Sequence, residues 1–194
     1  MYTEDYTTVH IPFWRDLFKS YRDRGRQSPI TMLEIGSFEG RSTAWFLQNV
    51  LHHPQDKIHC IDPHWYNPGD AESKFWRSVI NANGVGKLVK HKRQSERVMP
   101  GYEEKAFDII YVDGNHDGLA VLLDALNSFR VCKIGGIILF DDYLMPAKTE
   151  HWNFANSTKK AIDTFSDFYR KSLQLIAEDN KPNCSQIAFR RSGQ

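Results

Sequence analysis

The sequence predicts an α/β fold built on an open, mostly parallel β-sheet, and three observations support this prediction. Short apolar segments typical of strands alternate with amphipathic helical segments along most of the 194 residues. A glycine-containing turn joins the first strand to the helix that follows it. Three strand segments end in aspartate, and the carboxyl ends of parallel strands share one edge of a sheet, where such folds bind ligands.

The bulk composition is typical of a soluble globular protein. Hydrophobic residues make up 41% and charged residues 25% of the chain, and the formal charge is +1. Because the charge is balanced, we expect no nucleic-acid partner and no membrane surface as a partner. No apolar run approaches the roughly 20 residues that cross a bilayer, and three scattered cysteines are typical of a reducing compartment. We therefore expect a cytoplasmic protein.

Residues 1–28 are predicted to precede the main domain. Residues 1–9 have the composition of a loose arm, and the apolar spacing that follows predicts an amphipathic helix over 10–24. The apolar face of this helix would carry Ile11, Trp14, Leu17, Phe18 and Tyr21. We expect the helix to pack on the domain or on a neighbouring subunit, with a substrate lid as the alternative. Pro29 marks the first strand, and 29–194 is predicted to form the main part of a single domain.

The first strand, turn and helix begin at Ile30. An apolar strand containing Glu34 ends at Gly36, and a small-residue turn then leads into a helix with Ala44, Leu47 and Leu51 on one face. Further strands are predicted near 57–62, 88–94, 107–113, 137–140, 173–177 and 185–190. Further helices are predicted from Asp70, briefly from Ser95, and over 119–129 and 161–169. The connection between the last two strands is too short for a crossover helix, which requires antiparallel pairing.

The first turn limits the kind of ligand. A dinucleotide fingerprint is G-x-G-x-x-G, and here Gly36 and Gly40 are present without the second glycine. Glu39 would in addition repel a pyrophosphate, so a ligand with a positive centre and no phosphate fits better. Asp62, 26 residues after Gly36, suits a ribose diol because one carboxylate can accept hydrogen bonds from both hydroxyls.

Acidic residues stand at the ends of several predicted strands. Asp62, Asp113 and the pair Asp141-Asp142 end three strands, and Glu34 lies near the end of the first. We expect them to converge at one edge of the sheet, each with a partner, because a buried unpaired carboxylate is costly. Any single aspartate could instead cap the following helix. Helix capping does not explain why Asp141 and Asp142 occur as an adjacent pair.

Two segments resemble a known family. Leu33–Ser42, with the sequence LEIGSFEGRS, resembles motif I of the class I S-adenosylmethionine-dependent methyltransferases. The stretch from Tyr111–His116 (YVDGNH) through Gly135-Gly136 to Phe140–Tyr143 (FDDY) is similar to the metal-dependent O-methyltransferases, the group of the catechol and macrocin enzymes. The resemblance implies a Rossmann-like methyltransferase fold. Its sheet would be mostly parallel and seven-stranded, with an antiparallel last strand and helices on both faces.

The resemblance also implies a set of residues that bind S-adenosylmethionine. These are Glu34, Gly36, Ser37, Gly40, Ser42, Asp62, Ser95 and Asp113. Glu34 and Gly40 would shape the turn, and Gly36 and Ser37 would line the methionine part of the cofactor. Ser42 would reach the cofactor carboxylate.

Four further roles are implied outside the turn. Asp62 would bind the ribose hydroxyls, and Ser95 would lie beside the adenine. The divalent cation, Mg²⁺ by the hard all-oxygen character of the set, would be held by Asp113, Asp141 and Asp142. His116 would act with Asp113 as a catalytic residue, accepting the proton of the acceptor hydroxyl.

The acceptor is expected to be a small molecule or glycan with a hydroxyl or vicinal diol. The acid Asp142 and the histidine at 116 match the macrocin type rather than the catechol type, which favours a sugar. A catechol or phenol acceptor remains the alternative, followed by an NAD-dependent oxidoreductase and a cofactor-binding protein without turnover. Self-association into a homo-oligomer is left open. Aromatic residues after strand ends are candidates to form substrate walls, with packing in the core or in a lid as the alternative for each: Trp65, Tyr66, Tyr143, His151 and Trp152.

Overall fold

The computed structural model describes residues 2–22, 27–66, 69–145, 157–181 and 185–193. Within these ranges, seven strands belong to one mixed sheet, which confirms the predicted fold class. The chain forms two compact units, the first ending at Gln94 and the second beginning at Ser95. In the described part of the chain, no helix is long and apolar enough to cross a membrane.

The described residues of the first unit contain three parallel strands and three α-helices. The helices are α1 (Ile11–Leu17), α2 (Arg41–Asn49) and α3 (Asp70–Asn81). The strands are β1 (Thr31–Ile35), β2 (Lys57–Ile61) and β3 (Leu88–His91). Strand β2 lies between the other two, with Thr31 opposite Lys57 and Ile58 opposite Leu88. Most of β1 is buried, as expected for a parallel strand covered on both faces.

Helix α1 packs on α2 through aromatic side chains. Trp14 and Phe18 are fully buried. The centroid of the Trp14 ring lies 5.1 Å from the centroid of the Trp45 ring and 4.9 Å from that of the Phe46 ring. The helix is shorter than the span 10–24 that the sequence predicts, and the last two residues of that span lie outside the described ranges. In this structure α1 therefore covers a helix of its own unit.

The N-terminal arm is bonded to the first turn, where the sequence predicts a loose segment. The backbone N–H and the hydroxyl of Thr3 both donate to the carboxylate of Glu39, at 2.7 and 2.5 Å. Arg41, the first residue of α2, donates to Asp5 at 2.7 Å and to Thr8 at 2.8 Å. The composition of the arm does not show these contacts because their partners lie more than 30 residues away in the chain.

The described residues of the second unit contain four strands and three α-helices. The helices are α4 (Ser95–Val98), α5 (Gly118–Val131) and α6 (Thr158–Phe168). The strands are β4 (Phe107–Val112), β5 (Cys132–Phe140), β6 (Leu173–Asp179) and β7 (Gln186–Arg191). Their order is β4-β5-β7-β6; β4 runs parallel to β5, and β7 runs antiparallel to both of its neighbours. The predicted antiparallel last strand is confirmed.

Strand β5 begins earlier than the sequence predicts and contains Gly135 and Gly136. Gly135 has φ +82°, and the pairing of β4 with β5 shifts register between Phe107 and Ile109. A Cβ on Gly136 would lie 2.7 Å from Cys132 Sγ. The glycine pair is thus a bulge within the strand, and glycine is the residue that a bulge with positive φ favours.

The docking of α1 predicts a large stability effect of Trp14→Ala. Removing this fully buried indole is expected to lower the free energy of unfolding by about 3–5 kcal/mol, measured by urea denaturation. The matched control is Trp65→Ala, because Trp65 is 69% exposed; its effect is expected to stay within about 0.5 kcal/mol. Equal effects of the two substitutions would show that α1 does not dock as described.

Candidate active site

The turn after β1 is held by Asp62, which follows β2 directly. Asp62 Oδ2 accepts hydrogen bonds from the backbone N–H groups of Ser37 and Phe38, at 2.9 and 2.7 Å. Asp62 Oδ1 accepts from the backbone N–H of His64 at 2.6 Å. A carboxylate has about four lone-pair sites, so Asp62 keeps capacity for a further donor. The structure places Asp62 beside the turn, as predicted, and also gives it a part in building that turn.

Two glycines of the turn have backbone conformations that other residues rarely adopt. Gly36 has φ +85° and Gly40 has φ +76°. A Cβ on Gly40 would lie 2.9 Å from Phe75 Cδ2 and 3.2 Å from the Phe75 carbonyl oxygen in α3. Position 40 therefore needs glycine both for its φ and for the close approach of α3.

Glu34 is completely buried beneath the turn. Its carboxylate accepts hydrogen bonds from the hydroxyls of Ser42 and Thr43, the latter at 2.5 Å, and from the thiol of Cys60 at 3.3 Å. Burial raises the pKa of Glu34 to about 7, although these hydrogen bonds oppose the shift. The structure thus places Ser42 in a buried network with Glu34. Thr43 and Cys60 are partners of this acid that the sequence pattern did not indicate.

Two buried side chains near Asp62 have polar atoms without a hydrogen-bond partner among the described residues. They are the Ser37 hydroxyl and both ring nitrogens of His64. An unsatisfied buried polar group costs free energy and calls for a partner, such as a ligand or an ordered water. Ser37 is one of the predicted cofactor residues, and a free hydroxyl at the turn fits that prediction. His64 was not among the residues predicted for the site.

Glu39 is bound to residues of the N-terminal arm and of α3. Its buried carboxylate forms an ion pair with Lys74, with Nζ 3.0 Å from Oε1, and accepts hydrogen bonds from Thr3. This charge is compensated by Lys74, and the repulsion of a pyrophosphate by Glu39 stays a prediction. The missing second glycine still counts against a dinucleotide, since Phe38 occupies that position.

Ser95 begins α4 in the second unit and forms a side-chain hydrogen bond with Asp124 of α5. Asp124 is buried, and this burial raises its pKa to about 6. The sequence pattern did not indicate Asp124 because it lies within an apolar helical segment. The contact of Ser95 with an adenine stays a prediction.

Asp113, His116 and Asp142 come together after β4 and β5. One coordinating atom from each lies within 4.8 Å of the other two. His116 Nε2 lies 2.9 Å from Asp142 Oδ2, and Asp142 adopts a left-handed backbone with φ +54°. All three side chains are half-buried, so a ligand can reach them. Carboxylate oxygens and an imidazole nitrogen are donors that suit a divalent cation.

Asp141 adjoins this cluster through Tyr111. The Tyr111 hydroxyl lies 2.5 Å from Asp141 Oδ2 and 3.1 Å from Asp113 Oδ2. Asp141 Oδ1 accepts a hydrogen bond from the backbone N–H of Asp142 at 2.9 Å. The strand ends therefore bring Asp113 close to Asp142, whereas Asp141 adjoins Asp113 through the Tyr111 hydroxyl and is not part of the cluster with His116. Tyr111 was not predicted as part of this group, although it lies two residues before Asp113, so that the alternation of the chain places the two side chains on the same side where β4 ends.

The segment after the doublet is fixed by hydrogen bonds to the rest of the second unit. The Tyr143 hydroxyl bonds to Asp163 at 2.8 Å, and the Thr158 hydroxyl donates to the carbonyl oxygen of Asp142 at 2.7 Å. Tyr143 is buried and packs, whereas Trp65 and Tyr66 are exposed. Two other candidate wall residues, His151 and Trp152, lie outside the described ranges.

The fold and these two clusters define an α/β protein with polar side chains gathered at the ends of its strands. A protein-family model described as a methyltransferase domain matches residues 33–143. This match covers more than half of the sequence, and the chain belongs to that methyltransferase family. The predicted membership of the class I methyltransferases is confirmed.

The chain is also similar in sequence or in fold to known proteins. The uncharacterized protein R132 of Acanthamoeba polyphaga mimivirus is 28% identical over 141 residues, which cover 70% of this chain and 61% of the viral protein. The chain thus spans about six tenths of the length of this curated relative. The O-methyltransferase TomG from Streptomyces achromogenes, solved in complex with SAM, has a TM-score of 0.69 at 15% identity, covering 94% of this chain and 80% of TomG. A putative O-methyltransferase from Klebsiella pneumoniae has a TM-score of 0.74 at 14% identity, covering 100% and 84%.

The buried Glu34 predicts that the fold loses stability as the pH rises. The folded protein holds a proton on Glu34 up to a pKa of about 7, whereas the unfolded chain releases it near the ordinary value of 4.5. Between these values the native state binds more protons, so stability falls with increasing pH, by on the order of 3 kcal/mol. Glu34→Gln is expected to flatten this slope between pH 5 and pH 8, measured as urea midpoints.

The matched control for this experiment is Glu103→Gln. Glu103 is exposed, so its substitution is expected to leave the wild-type pH dependence of the urea midpoint in place. An unchanged slope in Glu34→Gln would contradict the raised pKa of Glu34.

Proposed function

We propose that the chain is an S-adenosylmethionine-dependent O-methyltransferase that uses a divalent cation and methylates a hydroxyl of a sugar or glycan. The observation that carries this proposal is the cluster of Asp113, His116 and Asp142 at strand ends of a methyltransferase-family protein. The acceptor would be a small molecule or glycan rather than a nucleic acid or membrane. We also place the protein in the cytoplasm, in keeping with the free thiols of Cys60 and Cys132.

The turn of the first unit fits the cofactor. Gly36 and Gly40 let the backbone form a tight turn, and Ser37 offers a buried hydroxyl that has no partner among the described residues. Asp62 already accepts hydrogen bonds from the backbone N–H groups of Ser37, Phe38 and His64, and its remaining capacity for a donor suits one hydroxyl of the ribose diol. Glu34 and Ser42 support the turn from beneath. TomG, which was solved with SAM, shares the fold.

The acids of the second unit fit a divalent cation. Asp113, Asp141 and Asp142 would hold it through carboxylate oxygens, the ligands that Mg²⁺ prefers. When bound, such a cation lowers the pKa of a coordinated hydroxyl and fixes its direction. His116 would accept the proton of the acceptor, and Asp142, 2.9 Å from its Nε2, would orient the ring. The half-buried position of His116 leaves it within reach of an acceptor.

The proposed metal dependence predicts loss of methyl transfer in EDTA and recovery with Mg²⁺. Asp142→Asn removes a charged ligand and is expected to weaken the apparent Mg²⁺ affinity at least about tenfold, measured by titrating activity with Mg²⁺. The matched control, Asp167→Asn, changes an exposed acid of the same unit and should match the wild type.

Cofactor binding is measured separately by calorimetry. S-adenosylhomocysteine is expected to bind even in EDTA, and NAD is expected not to bind. Full activity in EDTA would exclude the metal mechanism while leaving the cofactor assignment intact, whereas binding of NAD alone would favour an oxidoreductase.

The proposed base predicts how the acceptor class alters the effect of His116→Ala. With a sugar acceptor, kcat is expected to fall by about 10²–10⁴-fold, because an aliphatic hydroxyl needs a base. With a catechol the loss should be smaller, since a phenol ionises readily. A panel of both acceptor classes with wild type and variant makes the comparison; methylation of catechols alone would assign the alternative acceptor.

A further inference from the structure

Tyr111 is a buried residue of β4 whose hydroxyl forms hydrogen bonds with acids of the second unit. Tyr111 is 1% exposed, and the residues on either side of it in the strand, Ile110 and Val112, are apolar and buried. Its hydroxyl lies 2.5 Å from Asp141 Oδ2 and 3.1 Å from Asp113 Oδ2. Packing of the ring needs no hydroxyl, so the position of this group calls for another explanation.

The hydroxyl has one proton and faces two carboxylates. It can donate to only one of them at a time, and the shorter distance assigns this bond to Asp141. Asp113 and Asp141 carry like charges and come from different strands, so they repel each other when no cation is bound. Because the hydroxyl is bonded to Asp141 and lies 3.1 Å from Asp113 Oδ2, it limits how far the Asp141 carboxylate can move away from Asp113.

We infer that Tyr111 is a positioning residue of the metal centre, which holds Asp141 beside Asp113 so that both carboxylates are in place before a divalent cation binds. This inference rests on the proposed metal-dependent function. Groups that hydrogen-bond to metal ligands orient them, and removing such a group weakens metal affinity by about 10- to 100-fold. Tyr111 would thus act through the two acids rather than on the acceptor.

The test is Tyr111→Phe, which removes one oxygen atom and keeps the ring. Mg²⁺ affinity is measured by calorimetry on the full chain, and we expect a loss of about 10- to 100-fold. Binding of S-adenosylhomocysteine at the wild-type affinity and a cooperative thermal transition report that the variant folds. The matched control is Tyr143→Phe, because the Tyr143 hydroxyl bonds to Asp163 instead of the cluster; its Mg²⁺ affinity should not change.

A double-mutant cycle separates positioning from a general structural effect. In an Asp141→Ala background the Tyr111 hydroxyl has lost its nearer partner, so Tyr111→Phe should then reduce Mg²⁺ affinity much less than in the wild type. A purely structural role would give the same reduction in both backgrounds. The cycle uses the same calorimetric measurement and remains informative if one single variant is less stable.

The outcomes distinguish this inference from the proposed function. Mg²⁺ binding by the wild type with unchanged or tighter binding by Tyr111→Phe would overturn the role of Tyr111 and leave the metal mechanism standing. Equal losses of Mg²⁺ affinity in Tyr111→Phe and Tyr143→Phe would also overturn the role of Tyr111. No Mg²⁺ binding by the wild type would overturn the proposed metal dependence itself, and with it the role of Tyr111.

Discussion

Five carboxylates at or near strand ends are wholly or partly withdrawn from water and need partners within the chain, and much of the local structure is arranged around this requirement. The chain meets it with different donors in each case. Backbone N–H groups serve Asp62, two hydroxyls and a thiol serve Glu34, a phenol lies between Asp113 and Asp141, and an imidazole contacts Asp142. Because a buried carboxylate without partners is costly, these contacts fix the turns that follow the strands.

The same requirement explains why the two clusters have different chemistry. Glu34 lies inside the first unit, where burial raises its pKa and favours the neutral acid, so it serves as a structural support. Asp113, His116 and Asp142 are half-buried, which leaves their oxygen and nitrogen atoms accessible. An accessible group of acids that repel one another is suited to bind a cation, whereas a buried, neutralised acid is not.

The strand and helix pattern could be predicted because it depends on local apolar periodicity. The acids at strand ends could be predicted for the same reason, since each directly follows an apolar segment. Their partners could not: Cys60 reaches Glu34 across 26 positions of the chain, and Tyr111 reaches Asp141 across 30. The bulge at Gly135 and the bonding of the arm to Glu39 likewise depend on tertiary contacts that a glycine pair or a polar segment does not reveal.

The burial of the thiols has a consequence for following the unfolding of this protein. Cys60 lies in the first unit and Cys132 in the second, and both are fully buried with pKa values raised by burial. A thiol-specific alkylating reagent reacts with the thiolate, so it can modify either cysteine only after the surrounding structure opens. With Cys184 replaced by serine, the alkylation rate of Cys60 reports the opening of the first unit, and the alkylation rate of Cys132 reports the opening of the second.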